Sequence, residues 1–141
     1  MFNSKLRRKF HAFLESCELN LGHVFAFLAV EAAYSNGTEW LDQCLAYIQG
    51  NIDYVDAFTR EHTPKIKVIR PQASFLVWLD CRGLGLPHEE LTDLFVNRAC
   101  LALNDGDMFS PGGNGFMRLN VGTSRSTLEK AMNQLFDILT R

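Results

Sequence analysis

Apolar residues recur at three- and four-residue steps through the first sixty positions, then switch to alternation beyond Pro64. Leu6, Phe10, Phe13, Leu14 and Cys17 predict a helix over residues 4 to 17, with Ser4 placed to cap it. Gly22 interrupts the pattern. From His23 to Tyr34 the chain is apolar nearly all round, which predicts a helix that needs cover on every side. Asn36-Gly37 supplies residues tolerant of a left-handed helix end. Thr38 is then placed to cap a third helix, with Glu39 at the positive end of its dipole. Leu41, Cys44, Leu45, Ile48, Ile52, Val55 and Phe58 carry that helix to about His62, and Pro64 closes it. Gly50 costs this helix about 1 kcal/mol against alanine, a penalty that close packing would justify.

After Pro64 the period becomes two. Ile66 and Val68 alternate with lysines over 65 to 70, and Pro71 starts a turn. Residues 74 to 81 place Phe75, Val77 and Leu79 on one face and Leu76, Trp78 and Asp80 on the other. The short link predicts an antiparallel hairpin. Pro87 opens a helix to about Arg98, with Leu91, Leu94 and Phe95 inward. A short strand from Ala102 leads into a glycine-rich loop, Gly106 to Gly115. A second strand, Phe116 to Val121, puts Met117, Leu119 and Val121 on one face and Phe116, Arg118 and Asn120 on the other. Ser126-Thr-Leu-Glu129 reads as a capping box for a last helix striped by Leu128, Met132, Leu135, Phe136 and Leu139. The predicted fold is α+β: helices first, including a long amphipathic one, then a small, mostly antiparallel sheet. Helices at 88–98 and 127–140 cover one sheet face, and the other carries Arg118.

Composition narrows the function classes. The chain has 141 residues, 47% hydrophobic and 21% charged, the proportions of an ordinary globule. A net charge of -2 gives no electrostatic case for nucleic acid or an anionic membrane. Lys5, Arg7, Arg8 and Lys9 read as a solvated helix face. Cys17, Cys44, Cys81 and Cys100 are widely spaced, which favours buried reduced thiols over a zinc site or disulfides. No signal-peptide pattern opens the chain, and the apolar run from Val24 to Ala33 contains Glu31 and is too short to span a bilayer. A cytoplasmic protein is expected. The sequon Asn36-Gly-Thr38 carries little weight in such a chain.

Arg118 is the residue with the strongest chemical claim. A guanidinium on a largely apolar strand is costly to desolvate unless an anion meets it, and its fork suits a carboxylate or phosphate. On spacing alone, a structural ion pair with an Asp or Glu of the same domain is the favoured explanation. The glycine-rich loop lacks the Lys-Ser/Thr of a P-loop and no helix start follows it, so it reads as a turn that lets backbone approach a pocket. His11, His23, His62 and His88 lie on separate elements without metal-ligand spacing and read as exposed or capping. Lys65 and Lys67 read as solvated, and Trp40 and Trp78 as packing. There is no Gly-x-Ser-x-Gly elbow to support hydrolase chemistry.

Ala102-Leu103-Asn104-Asp105-Gly106, Phe109, Gly112-Gly113 and Gly115-Phe116-Met117-Arg118-Leu119-Asn120 together resemble the carboxyl-terminal segment of the pyridoxal-phosphate enzymes of fold type I. The resemblance is to the cystathionine β-lyase branch (MalY/PatB-type C–S lyases) of the class I/II aminotransferase family. Val24-Phe25, Glu31-Ala32-Ala33-Tyr34, Trp40-Leu41-Asp42, Gly50-Asn51, Val68-Ile69-Arg70-Pro71, Phe75-Leu76-Val77-Trp78-Leu79-Asp80 and Arg125-Ser126-x-Leu128-Glu129 agree in order and spacing. The likeness thus runs over essentially the whole chain. It departs at Ala73-Ser74, where the family usually has Gly-Thr, and at His23, where Asn is common.

The resemblance implies a function as well as a fold. Arg118 would clamp the α-carboxylate of an amino-acid substrate, with Asn120 and Phe116 shaping the same wall. The family's Schiff-base lysine, pyridine-nitrogen aspartate and main phosphate-binding residues lie upstream of the matched segment. The chain therefore reads as the last third of an enzyme, a truncated product or an expressed domain. It would have no catalytic or cofactor-binding residue of its own, no bound pyridoxal phosphate, and no activity alone. Residues 1–37 would belong with the large cofactor-binding domain, and 38–141 would form the small domain, with 38–63 as the connecting helix. The intact enzyme would eliminate a thiol from a sulfur amino acid. An aminotransferase sharing this segment, or a non-catalytic protein-binding module, is the alternative. Expected partners are the amino-acid substrate and a second copy of the chain, without nucleic acid or membrane.

Overall fold

The computed structural model describes residues 3–19 and 22–140. The chain divides into two compact units, Met1–Asp42 and Gln43–Arg141. In the first unit, α1 spans Ser4–Ser16 and α2 spans Val24–Asn36. Asn3, not Ser4, caps α1: its Oδ1 accepts from the backbone N–H of Lys5 (3.0 Å) and Leu6 (3.1 Å). Asn3 holds the extended backbone that a cap requires, which leaves Ser4 as the first helical residue. Neither helix has a buried residue, and Val24, Phe25, Phe27 and Leu28 are all exposed. The end of α2 also differs from the expected left-handed stop. Gly37 stays right-handed at φ -87°, ψ -1°. Its N–H donates to Ala33 O, and its carbonyl accepts from Leu41 N at 2.9 Å, so Gly37 rather than Thr38 takes the cap position of α3, Thr38–His62.

The second unit is built on a four-stranded sheet in the order β1-β2-β4-β3, antiparallel throughout. The strands are β1 Lys67–Ile69, β2 Leu76–Asp80, β3 Asn104–Asp105 and β4 Phe116–Asn120. The β1–β2 hairpin follows the expected pairing. The strand predicted from Ala102 contracts to two residues, because only Asn104 and Asp105 find register with β4, opposite Arg118 and Met117. Along β2 and β4 burial alternates: Val77, Leu79, Met117 and Leu119 are buried and their neighbours are not. The chain is α+β.

Three helices, rather than two, cover the buried face. α3 contributes Ile52 and Val55 to the same core as Leu91, Leu94, Phe95, Leu128, Met132 and Leu135. α4, His88–Asp93, widens into a π-helical turn over Leu94–Arg98, and α5 spans Arg125–Leu139. The α5 cap is Ser124, whose Oγ accepts from Thr127 N. The capping box expected at Ser126 is not used, because the chain turns at Gly122 and already offers a capping hydroxyl two residues earlier. At Gly50 an added Cβ would meet only the Arg125 guanidinium, at 3.5 Å, so close packing within this chain does not account for the glycine.

Candidate functional site

The β4 residue opposite Trp78 on one side and Asn104 on the other is Arg118. Strand alternation directs it away from the helix-covered face, and two neighbours hold it. One terminal N–H donates to Asn104 Oδ1 at 3.0 Å, and the guanidinium carbon sits 4.1 Å from the centroid of the Phe109 ring. Its Nε is buried and has no hydrogen-bond partner among the described residues. No carboxylate among the described residues pairs with it. Three other arginines of the unit are neutralised: Arg60 pairs with Asp56 at 2.6 Å, Arg82 with Asp80 at 2.8 Å, and Arg70 with both Asp53 and Asp56, whereas Arg125 is met by the neutral Asn51 and the Tyr54 ring. The structural ion pair that would have explained Arg118 away is absent among the described residues. A buried N–H without an acceptor is destabilising, and a planar fork steadied by a ring and an amide is preset for an incoming carboxylate.

The surroundings are aromatic. Trp78 meets Phe109 edge-on at 5.5 Å and Phe116 at 6.4 Å. A cavity of about 340 Å³ opens beside these rings, lined by Ile69, Trp78, Phe109, Ser110 and Phe116 among others and not by Arg118 itself. Phe116 also carries the Arg82 guanidinium 4.7 Å from its centroid. Asn120 lies on the same strand face, but its Oδ1 accepts from Gly122 N at 2.8 Å and so serves the turn out of β4. Arg118 and Phe116 are thus brought together with Trp78 and Phe109, whereas the Asn120 side chain is occupied locally.

The loop from Gly106 to Gly115 folds through two 3-10 turns, Gly106–Met108 and Pro111–Gly113. Gly106 and Gly113 pass so closely that a side chain on either would collide with the other's carbonyl oxygen. Gly115 takes φ +80°, in the left-handed region that glycine favours. The loop therefore closes a tight neck and places Phe109, noted in the sequence only as part of the matched pattern and given no role there, over Arg118.

His88 departs from its reading as exposed or capping. Its side chain is only 14% exposed, with Nε2 at 2.8 Å from Asp105 Oδ1 and Nδ1 accepting from Gly115 N at 3.2 Å. These partners lie seventeen and twenty-seven residues away, so no local pattern could have revealed them. His62 packs between Phe58 and Phe136, and His23 occupies the α2 cap position without a side-chain capping bond. The four cysteines are free, but only Cys81 is buried, and Cys17 and Cys100 are exposed. Burial foremost, with the Asp80 charge adding to it, pushes the Cys81 thiol up to about 12, which removes it as a nucleophile near neutral pH. Among the described residues no three His, Cys, Asp or Glu converge on a metal position, and no helix is long and apolar enough to cross a membrane. All five lysines are exposed, Lys65 and Lys67 among them, as the alternation over 65 to 70 led one to expect.

No protein-family profile matches the chain. It is 40% identical over 129 residues to cystathionine β-lyase PatB of Bacillus subtilis, covering 92% of this chain and 33% of that protein. It is 33% identical over 116 residues to protein MalY of Escherichia coli, covering 82% and 30% respectively. The chain thus spans about a third of the length of these curated relatives. A pyridoxal-phosphate-bound putative aminotransferase from Clostridium difficile superposes with a TM-score of 0.93 at 33% identity, over 99% of this chain and 36% of that one. Cystalysin from Treponema denticola, which contains pyridoxal 5'-phosphate, gives 0.89 at 26% identity over the same shares. In sequence and in fold, the chain corresponds to the carboxyl-terminal segment of the fold-type I pyridoxal-phosphate enzymes, in their cystathionine β-lyase branch.

Proposed function

We propose that this chain supplies the substrate-carboxylate site of a pyridoxal-phosphate-dependent C–S lyase that releases a thiol from a sulfur amino acid such as cystathionine. The observation that carries this reading is Arg118: its fork has no carboxylate partner among the described residues, and its Nε is buried without an acceptor. An α-carboxylate meeting that fork would form two parallel charge-assisted hydrogen bonds. Holding one end of the substrate this way fixes which bond at its α-carbon is aligned for reaction. Phe116 shapes the adjoining wall. Asn120 acts on the same wall only through the turn that it braces.

On this reading the cofactor site is built by residues outside the matched segment, and the chain's own part is to hold and orient the substrate carboxylate. Alone, the 141-residue chain is expected to bind no pyridoxal phosphate and to show no absorbance band of lysine-bound cofactor. The exposed apolar surface of α2 supports a homodimer or other self-association, and light scattering should report a mass above 16.0 kDa. An aminotransferase remains the second reading, favoured by the likeness to the Clostridium difficile structure, because the same arginine would serve either reaction.

The test is kinetic. In the holoenzyme that contains these residues, Arg118→Ala is expected to cost about 2–5 kcal/mol in kcat/KM, the usual loss when one partner of a desolvated charge pair is removed. Unchanged kinetics would reject the assignment. A thiol product from cystathionine favours the lyase, and amino transfer to a keto acid favours the alternative.

A further inference from the structure

We infer that His88 is a positioning residue for the Arg118 site, an inference that rests on the carboxylate reading of that arginine. The imidazole joins the two ends of the glycine-rich loop. A backbone N–H can only donate, so the 3.2 Å contact from Gly115 N makes Nδ1 an unprotonated acceptor. The ring proton therefore sits on Nε2 and is donated to Asp105 Oδ1 at 2.8 Å, with Asp107 Oδ2 further off at 3.4 Å. Asp105 is itself fixed: Oδ1 also accepts from Asp107 N at 2.9 Å, and Oδ2 lies 3.4 Å from Thr92 Oγ1.

What lies at those ends gives the clasp its consequence. Asp105 directly follows Asn104, which accepts the Arg118 hydrogen bond, and Gly115 directly precedes β4, which bears Arg118. Between them the loop carries Phe109, whose ring lies against the guanidinium while itself 46% exposed. The Trp78 ring, edge-on at 5.5 Å, and the loop neck hold so exposed a ring in place. The neck is pinched where Gly106 and Gly113 meet, and the imidazole ties it from outside. Both contacts that steady Arg118 thus sit at the loop closed by one histidine that touches neither the guanidinium nor the ligand it would receive, and strand register and Trp78 support them besides.

The test uses the 141-residue chain with labelled arginine side chains. With the guanidinium carbon 4.1 Å from the Phe109 centroid, the ring current is expected to displace the Arg118 Nε–H resonance, and Phe109→Leu would mark its undisplaced position. Asparagine at 88 offers an oxygen near the Nδ1 place and glutamine a nitrogen near the Nε2 place, so each restores one end of the clasp. His88→Ala is expected to move the resonance to the Phe109→Leu position, His88→Asn and His88→Gln to bring it part of the way back, and all three to weaken acetate binding. If His88→Ala does not fold, the Asn and Gln variants carry the comparison. A resonance unmoved in the variants, with only a lower Tm, would make the histidine a structural tie and overturn the inference. Failure of acetate to perturb Arg118 in the unsubstituted chain would instead overturn the carboxylate reading, and with it the site His88 is said to serve.

Discussion

The two faces of the sheet use the same strands for opposite purposes. On one, Val77, Leu79, Met117, Leu119 and Val121 meet three helices and are buried. On the other, Trp78, Phe116 and Arg118 meet a loop, an edge asparagine and a cavity. One residue of register separates the faces, and on the proposed function it separates stability from binding. The first face has spent its surface on the fold. The second keeps a guanidinium without a carboxylate partner among the described residues, a state that costs folding energy and that the proposed carboxylate ligand would relieve.

Substitutions that act on only one face sharpen this division. The largest effect is expected at Phe95, wholly buried among the covering helices: Phe95→Ala should cost about 3–5 kcal/mol in urea unfolding. A cost below 1 kcal/mol would mean that the covered face is not the stabilising one. At Asn51, buried and bonded to Val121 O (2.8 Å), Thr123 O (3.0 Å) and Arg125 Nε (2.9 Å), replacement by Ala strands several backbone and side-chain groups. A loss of about 1–3 kcal/mol is expected by the same measurement. Arg118→Leu is the inverse case. It removes an unpaired charge and a buried orphan donor, so urea unfolding should show no loss of stability, even as carboxylate binding disappears. A substantial drop would show that the guanidinium holds the fold together.

The smallest effect is chemical. Cys81 is buried with its thiol raised from 9.0 to about 12, so at pH 8 iodoacetamide should modify Cys17 and Cys100 and spare Cys81 in the folded chain. The linkage has a definite sign. A thiol harder to ionise in the folded state favours folding least at high pH, so stability should fall as pH rises from 9 towards 12. Rapid labelling of Cys81 would place it outside the core.

Much of this was legible along the chain. Alternation around Met117, Leu119 and Val121 placed Arg118 on the uncovered face before any coordinate was known, because a period of two leaves no other choice. The helices followed from their apolar stripes. Their ends were less legible: Asn3 replaced Ser4, Gly37 replaced Thr38 and Ser124 replaced Ser126 as caps. Several small polar residues offer the same hydrogen bond, and the backbone selects among them.

Periodicity and the arginine are local properties of a chain, governed by steric repeats and side-chain chemistry, so they can be read from order alone. The fork's surroundings cannot. That α3 joins the core, that Asp53, Asp56 and Asp80 neutralise other arginines and not Arg118, and that His88 closes a loop whose Phe109 rests on the guanidinium all depend on groups far apart in sequence. Such contacts form only when hydrophobic burial has brought their elements together, and burial constrains which face turns inward far more than which polar groups then meet.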